Sequence, residues 1–167
     1  MNSESIKLMF EYNYWTNKRI LSMAEKLTPE QLTAPTSFSW KNLHGTLVHL
    51  LDSEYGWRVL CATGKDTDVW KPEDFPDLAS IRARWDEEEA KMREYLNSLS
   101  DADLQGTISY PVNDGSIRTR VLWHCLYHLA NHGTQHRSEC AAMLTDFGQS
   151  PGDIDFTYFL AQTGRNS

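Results

Sequence analysis

Cysteine is scarce in this sequence of 167 residues: Cys61, Cys125 and Cys140 are an odd number and form no CxxC pair. That argues against a disulfide scaffold and for a reduced, cytoplasmic setting. Long apolar runs are missing as well. No stretch reaches the roughly 18 apolar residues of a spanning helix, so no membrane partner is expected. The opening Met1-Asn2-Ser3-Glu4-Ser5 lacks the basic-then-apolar pattern of a secretory signal. Basic charge is short too: 16 Lys and Arg stand against 23 Asp and Glu, a net charge of −7. A general nucleic-acid or anionic-membrane binder needs a basic face to meet phosphate, so both classes are excluded. Two metal signatures are also absent. There is no His-Glu-x-x-His of a zincin peptidase, and the inward helical faces carry no Glu-x-x-His pairs of a di-iron bundle. What remains is 40% apolar and 23% charged residues, the balance of one globular domain over residues 1–167 with enough chain to bury a core.

Apolar periodicity divides the chain into four long helices. The first runs from Glu4 to about Glu25, with Ile6, Phe10, Ile20 and Ala24 on one stripe that also holds the polar Asn13 and Asn17. Thr28-Pro29-Glu30-Gln31 and Ala34-Pro35-Thr36-Ser37 then supply cap and turn chemistry. The second spans about Lys41 to Ala62 and ends at Gly64, a residue suited to the left-handed cap. A loop from Lys65 to Pro76 follows, with Trp70 and Phe75 available to pin it to the core. The third helix covers about Asp77 to Ser98. Thr107–Tyr110 and Ser116–Thr119 alternate like strands around a Pro111–Gly115 turn, a hairpin too small to stand alone and so expected against a helix. The fourth helix is the longest, about Arg120 to Phe147, and Asp153–Gln162 reads as a short last one. The fold class is therefore all-α: a four-helix bundle with a small β-hairpin before the fourth helix and a short C-terminal helix.

The fourth helix holds His124, His128, His132 and His136. With Val121 at zero and about 100° per residue, the apolar set of this helix centres near roughly 60°. His136 falls at roughly 60° and His132 at roughly 20°, both inward, while His128 at roughly 340° is on the edge and His124 at roughly 300° is outside. Two imidazoles on an apolar stripe must have their nitrogens satisfied. A divalent metal would do so; bonds to Asn13, Asn17 or a buried water are the alternative. His49, on the second helix beside Gly45, Ser53 and Gly56, is the candidate third ligand, or else a surface histidine at a close helix contact. Glu139 lies at roughly 0°, where it orients a ligand or faces a neighbouring helix.

Several segments together resemble the DinB-like family of small metal-binding bundles. They are Tyr12-Asn13-Tyr14-Trp15-Thr16-Asn17-Lys18-Arg19, His49-x4-Glu54-x2-Trp57, Asn131-His132-Gly133-Thr134-Gln135-His136-Arg137 and Ser150-Pro151-Gly152-Asp153-Ile154-Asp155-Phe156. They cover nearly the whole chain. The resemblance implies a divalent metal, zinc or nickel first and iron or copper also compatible with imidazole, held by His49, His132 and His136. It also implies a homodimer. Ser138-Glu139 departs from the Gly-Gln that often follows in the family. Three neutral ligands leave a position open for water or thiolate, the arrangement of catalytic sites. Relatives include bacillithiol-dependent transferases and a mycothiol-dependent maleylpyruvate isomerase. The resemblance therefore implies a small-molecule transferase or isomerase that uses a low-molecular-weight thiol; a non-catalytic dimeric metal-binding bundle, structural or sensing, is the alternative. On that reading Asn13 and Asn17 orient a ligand or meet substrate, or are ordinary buried amides. Arg137 meets a substrate carboxylate or makes a surface salt bridge. Cys125, seven residues from His132, is a buried spectator, and Trp15 and Trp57 are core residues.

Overall fold

The computed structural model describes residues 1–112 and 114–165. Four long helices, α1 (Ser3–Ala24), α3 (Leu43–Thr63), α4 (Leu78–Ser98) and α6 (Leu122–Asp146), build the bundle. Between them lie the short helices α2 (Pro29–Leu32) and α5 (Asp101–Gln105), a hairpin of β1 (Thr107–Pro111) and β2 (Ile117–Val121), and a terminal α7 (Phe156–Gln162). Side chains start most of the helices. Asn2, Asn42 and Asp77 each accept a backbone N–H in the first turn of α1, α3 and α4. Gly64 closes α3 in the left-handed region, φ 71°.

Several boundaries differ from the sequence expectation for local reasons. Asn42 and Asp77 are caps, so α3 and α4 begin one residue after them. Arg120 and Val121 belong to β2 and not to the fourth helix, and Asp153–Asp155 precede α7. The two short helices went unread. Thr28 with Gln31 and Ser100 with Asp103 form capping boxes, each starting barely one turn of helix. The hairpin pairs Thr107 with Val121 through Pro111 with Ile117. In the expected Pro111–Gly115 turn, Pro111 is the last strand residue and Asn113 lies outside the described residues.

Chain direction follows from which ends share a core. One apolar cluster joins the C-terminal half of α1 and of α6 (Ile20, Leu21; Cys140, Leu144) to the N-terminal half of α3 and of α4 (Leu47, Leu51; Ile81, Trp85). The other joins the opposite halves, including Phe10, Cys61, Met92 and Leu126. Thus α1 and α6 run one way while α3 and α4 run the other. Helix α6 packs on both α1 and α3, and α4 packs on the same two from the other side. Because α3 and α4 are parallel neighbours, residues 64–77 must return the length of α3. They do so along its surface: the Trp70 N–H donates to Asp52 (2.7 Å), Trp70 stacks on Tyr55 (ring centroids 4.2 Å), and the Phe75 carbonyl meets His44 Nε2 at 3.0 Å. Trp70 and Phe75 pin this loop as the sequence suggested.

Candidate metal centre

Helices α3 and α6 are antiparallel neighbours, and this contact brings His49 opposite His132 and His136. One ring nitrogen from each of the three lies within 4.8 Å of the others. His49 Nε2 and His132 Nε2 are 3.1 Å apart, near the roughly 3.3 Å edge of a tetrahedron with Zn–N bonds of about 2.05 Å. The His132–His136 and His49–His136 ring centroids are 4.5 and 4.7 Å apart. His136 is buried and the other two are half-buried, while His124 and His128 are exposed, in the order that the helical wheel assigned.

Burial makes protonation of this cluster costly. His49 is held down to about 3, first by desolvation and then by His132 and His136. His132 is held to about 4, first by desolvation, then by His136, His128 and the Arg137 guanidinium, with Glu139 opposing. Both are neutral imidazoles at pH 7, the form that ligates metal. His132 Nδ1 is buried with no hydrogen-bond partner, a cost that proteins rarely leave in place. Neutral donors and convergent nitrogens together fit a divalent metal that favours imidazole.

Glu139 takes the orienting role. Its Oε2 lies 2.8 Å from His136 Nδ1, so Nδ1–H donates to the carboxylate and Nε2 keeps the lone pair for a ligand bond. A carboxylate so placed fixes the tautomer and raises the basicity of the ring. The departure Ser138-Glu139 therefore leaves a working hydrogen-bond acceptor beside the site.

One contributor was not foreseen. Trp40 stacks on His49, ring centroids 3.8 Å apart and planes 18° from parallel. It sits in the loop before α3, where periodicity carries no signal. Lys41, the next residue, takes a left-handed φ of 72°, a strain of about 1–3 kcal/mol for a residue with a side chain. A Cβ at Gly45 would stand 2.4 Å from the Trp40 carbonyl oxygen. Only glycine lets this backbone lie against the first turn of α3 and carry the indole onto the imidazole.

Asn13, Asn17 and Arg137 come together, but between α1 and α6. Arg137 is buried, 3% exposed, which rules out the surface salt bridge considered for it. Its Nη2 donates to Asn13 Oδ1 and, at 3.2 Å, to Thr134 Oγ1, and Asn17 lies 3.4 Å from Nη1. With its amide turned over, Asn17 instead accepts from the Trp85 indole at 3.2 Å. Gly133 makes room: a Cβ there would be 2.7 Å from Arg137 Nη1. Beyond lie the buried Glu54, which accepts from Trp85 Nε1 (3.1 Å), and Glu88, which pairs with Arg58. Burial lifts Glu54 to about 7, against the bond from Trp85 and the nearby Tyr14 hydroxyl. Arg137 reaches the histidines through its charge on His132. Cys125 is buried, and Trp15 and Trp57 are half-buried.

A model of the DinB family matches residues 1–166. The chain belongs to the DinB family. Protein DinB of Bacillus subtilis (strain 168) is 22% identical over 169 aligned positions, 93% of each chain. The uncharacterized protein YizA of the same organism is 24% identical over 147, covering 88% of this chain and 91% of YizA. Among solved structures, YfiT from Bacillus subtilis superposes with a TM-score of 0.63 at 16% identity, over 87% of this chain and 86% of its own. YfiT is described as "a probable metal-dependent hydrolase with an unusual four-helix bundle topology". At that identity the likeness speaks for the bundle fold of this DinB-family chain. Among the described residues, no helix is long and apolar enough to cross a membrane.

Proposed function

We propose that this chain is a metal-dependent enzyme in which His49, His132 and His136 hold one divalent metal, zinc or nickel before iron or copper. It acts on a small molecule with a low-molecular-weight thiol as cosubstrate, in an S-transfer or an isomerisation. The observation that carries this reading is the convergence of three ring nitrogens within 4.8 Å, from two helices, with no carboxylate among the three groups. A divalent metal in such a set supplies Lewis acidity and lowers the pKa of a ligated water or thiol.

The protein's own groups do the positioning. Glu139 fixes His136 with Nε2 toward its partners, Trp40 covers one face of His49, and Arg137 anchors α6 to α1 beside the two helix-six ligands. No cysteine is among the converging ligands: Cys61 and Cys125 are buried against each other, with Cys125 also on the wall of the neighbouring groove, and Cys140 lies in the opposite cluster with its thiol pushed up by burial. The domain would span residues 1–167 and work as a cytoplasmic homodimer. A second reading, hydrolysis with water in place of the thiol, draws support from the description of YfiT.

Metal content by mass spectrometry, on protein purified without a histidine tag, is the direct test. About one equivalent per chain in the wild type and none in His49→Ala is the expected result for a three-ligand site. Folded wild-type protein that arrives metal-free and also refuses added zinc and nickel would sink the proposal. With metal in place, thiol-dependent turnover against water-only turnover separates the two reactions.

A further inference from the structure

We infer that the groove beside the three histidines binds an elongated substrate whose far end carries an anionic group, carboxylate or phosphate, held by Arg118 and Arg120. This rests on the metal-centre reading for the near end only. The groove encloses about 1060 Å³ between α3, the returning loop, the hairpin and α6, at the upper limit of the ~300–1,000 Å³ usual for small-molecule sites. Its near end is His128, whose ring centroid is 5.9 Å from that of His132. Arg118 and Arg120 line the same groove, as does His124, about one helical turn nearer the start of α6 than His128. His124 is eight residues from His132, about 12 Å along the helix at 1.5 Å per residue.

The hairpin fixes where the arginines point. Alternate residues of a strand share a face, and Arg118 and Arg120 sit in register with Tyr110 and Ile108. Tyr110 is buried, with its ring edge-on to Trp57 at 6.0 Å, so this face is turned to the bundle. Ile117, from the other face, is 67% exposed, and the two arginines are themselves exposed to solvent at the groove's rim. Neither arginine forms an ion pair among the described residues; the polar contact of Arg120 is the neighbouring Thr119 carbonyl at 2.9 Å.

The carboxylates of the same groove are differently placed. Asp52 accepts from the Trp70 N–H, and Asp114 accepts from the Ser116 N–H (2.9 Å) and hydroxyl (2.6 Å). Asp66 is exposed on the returning loop. Asp114, on the hairpin's own turn, feels the charge of Arg118, so the hairpin offers a ligand two guanidinium forks beside one carboxylate already engaged by Ser116, in a chain of net charge −7. Such a fork matches the paired oxygens of a carboxylate or phosphate.

The test uses synthetic thiols of defined length, titrated calorimetrically into zinc-loaded protein: 8-mercaptooctanoate, its phosphonate counterpart and 8-mercaptooctan-1-ol. Each places a sulfur and a terminal group about as far apart as the groove's two ends. At least one of the acids should bind about tenfold or more tightly than the alcohol, as charge-assisted bonds would give, and the tighter acid identifies the anion. In the double variant Arg118→Gln/Arg120→Gln that advantage should vanish, while zinc content and the alcohol's affinity stay as they were. The short 3-mercaptopropanoate should show no arginine-dependent advantage. Equal binding of acids and alcohol to the wild type, or an advantage that survives in the folded double variant, overturns the inference. Octanoate against octanol on metal-free protein reads the far end alone. An arginine-dependent preference there, in a chain that takes no metal, would leave this subsite standing while the metal-centre reading fell.

Discussion

Two polar clusters lie back to back on α6, carried by adjacent residues. His136 turns to α3 and meets His49 and His132, while Arg137 turns to α1 and meets Asn13 and Asn17. Both are inward and both break an apolar stripe, yet they end differently. The arginine cluster joins unlike groups across helices: guanidinium to amide, indole to Glu54, Arg58 to Glu88, although Arg137 Nε and Glu54 Oε1 have no partner. The histidine cluster crowds three groups of the same kind, two of them held neutral by burial and by one another. Donors set against acceptors tie helices together. Three imidazoles brought within reach of one point offer a cation their lone pairs.

The sharpest way to break this contrast is Arg137→Leu. It removes the donor for Asn13 and Thr134 and the positive charge near Glu54, so stability should fall by about 3 kcal/mol in chemical denaturation. Zinc stoichiometry of the remaining folded protein should not change. Metal loss without destabilisation would move Arg137 from the scaffold to the site.

Acid should separate the clusters next. Glu54 keeps its proton in the fold up to about 7, against an ordinary 4.5. Its contribution is therefore fully present below 4.5 and is lost as pH rises through 7. Glu54→Gln should remove that loss, raising stability at pH 8 by up to about 3 kcal/mol and by little near pH 4.5. The imidazoles run the other way. Unfolded histidine takes a proton near 6.5, whereas His49 and His132 stay neutral to about 3 and 4. The metal-free fold should thus weaken as pH falls from 6.5 toward 4, and His132→Ala should lessen that slope in a pH series of thermal melts. The same slope in the variant as in the wild type would contradict the assignment.

Glu139→Gln is the gentlest change. It keeps an acceptor for His136 Nδ1–H but removes the charge, and zinc affinity measured by competition with a chelator should drop about 10-fold. No change would mean that the carboxylate only orients the ring.

The sequence told these regions apart unevenly. On α6, apolar and polar residues alternate cleanly enough for an angular count to send His132 and His136 inward, His128 to the edge and His124 outside. Helix α3 gives no such count. Leu43, Leu47, Leu50, Leu51 and Val48 are buried on nearly every side because α4, α6 and the returning loop all cover it. His49 therefore stood out by family likeness rather than by pattern. Arg137 defies the default that a cation faces water; the sign of its burial was already present in two asparagines on an inward stripe that lacked a donor. Trp40 left no trace, since its place depends on a strained backbone at Lys41 and a close approach at Gly45. The parallel run of α3 and α4 was equally hidden, because periodicity says which face is buried and nothing about direction.

That parallel run has its own consequence. A bundle of antiparallel neighbours closes with tight turns and leaves its seams bare. Here the chain must travel back along α3, and the hairpin must bridge from α4 to α6, so two connecting segments become the walls of a vessel over one seam. The floor of that vessel is a pair of rigid helices, and its rim is made of segments that can lengthen, shorten or change charge. Inheritance can thus retool the cargo at the rim without disturbing the three histidines that lie beside the floor.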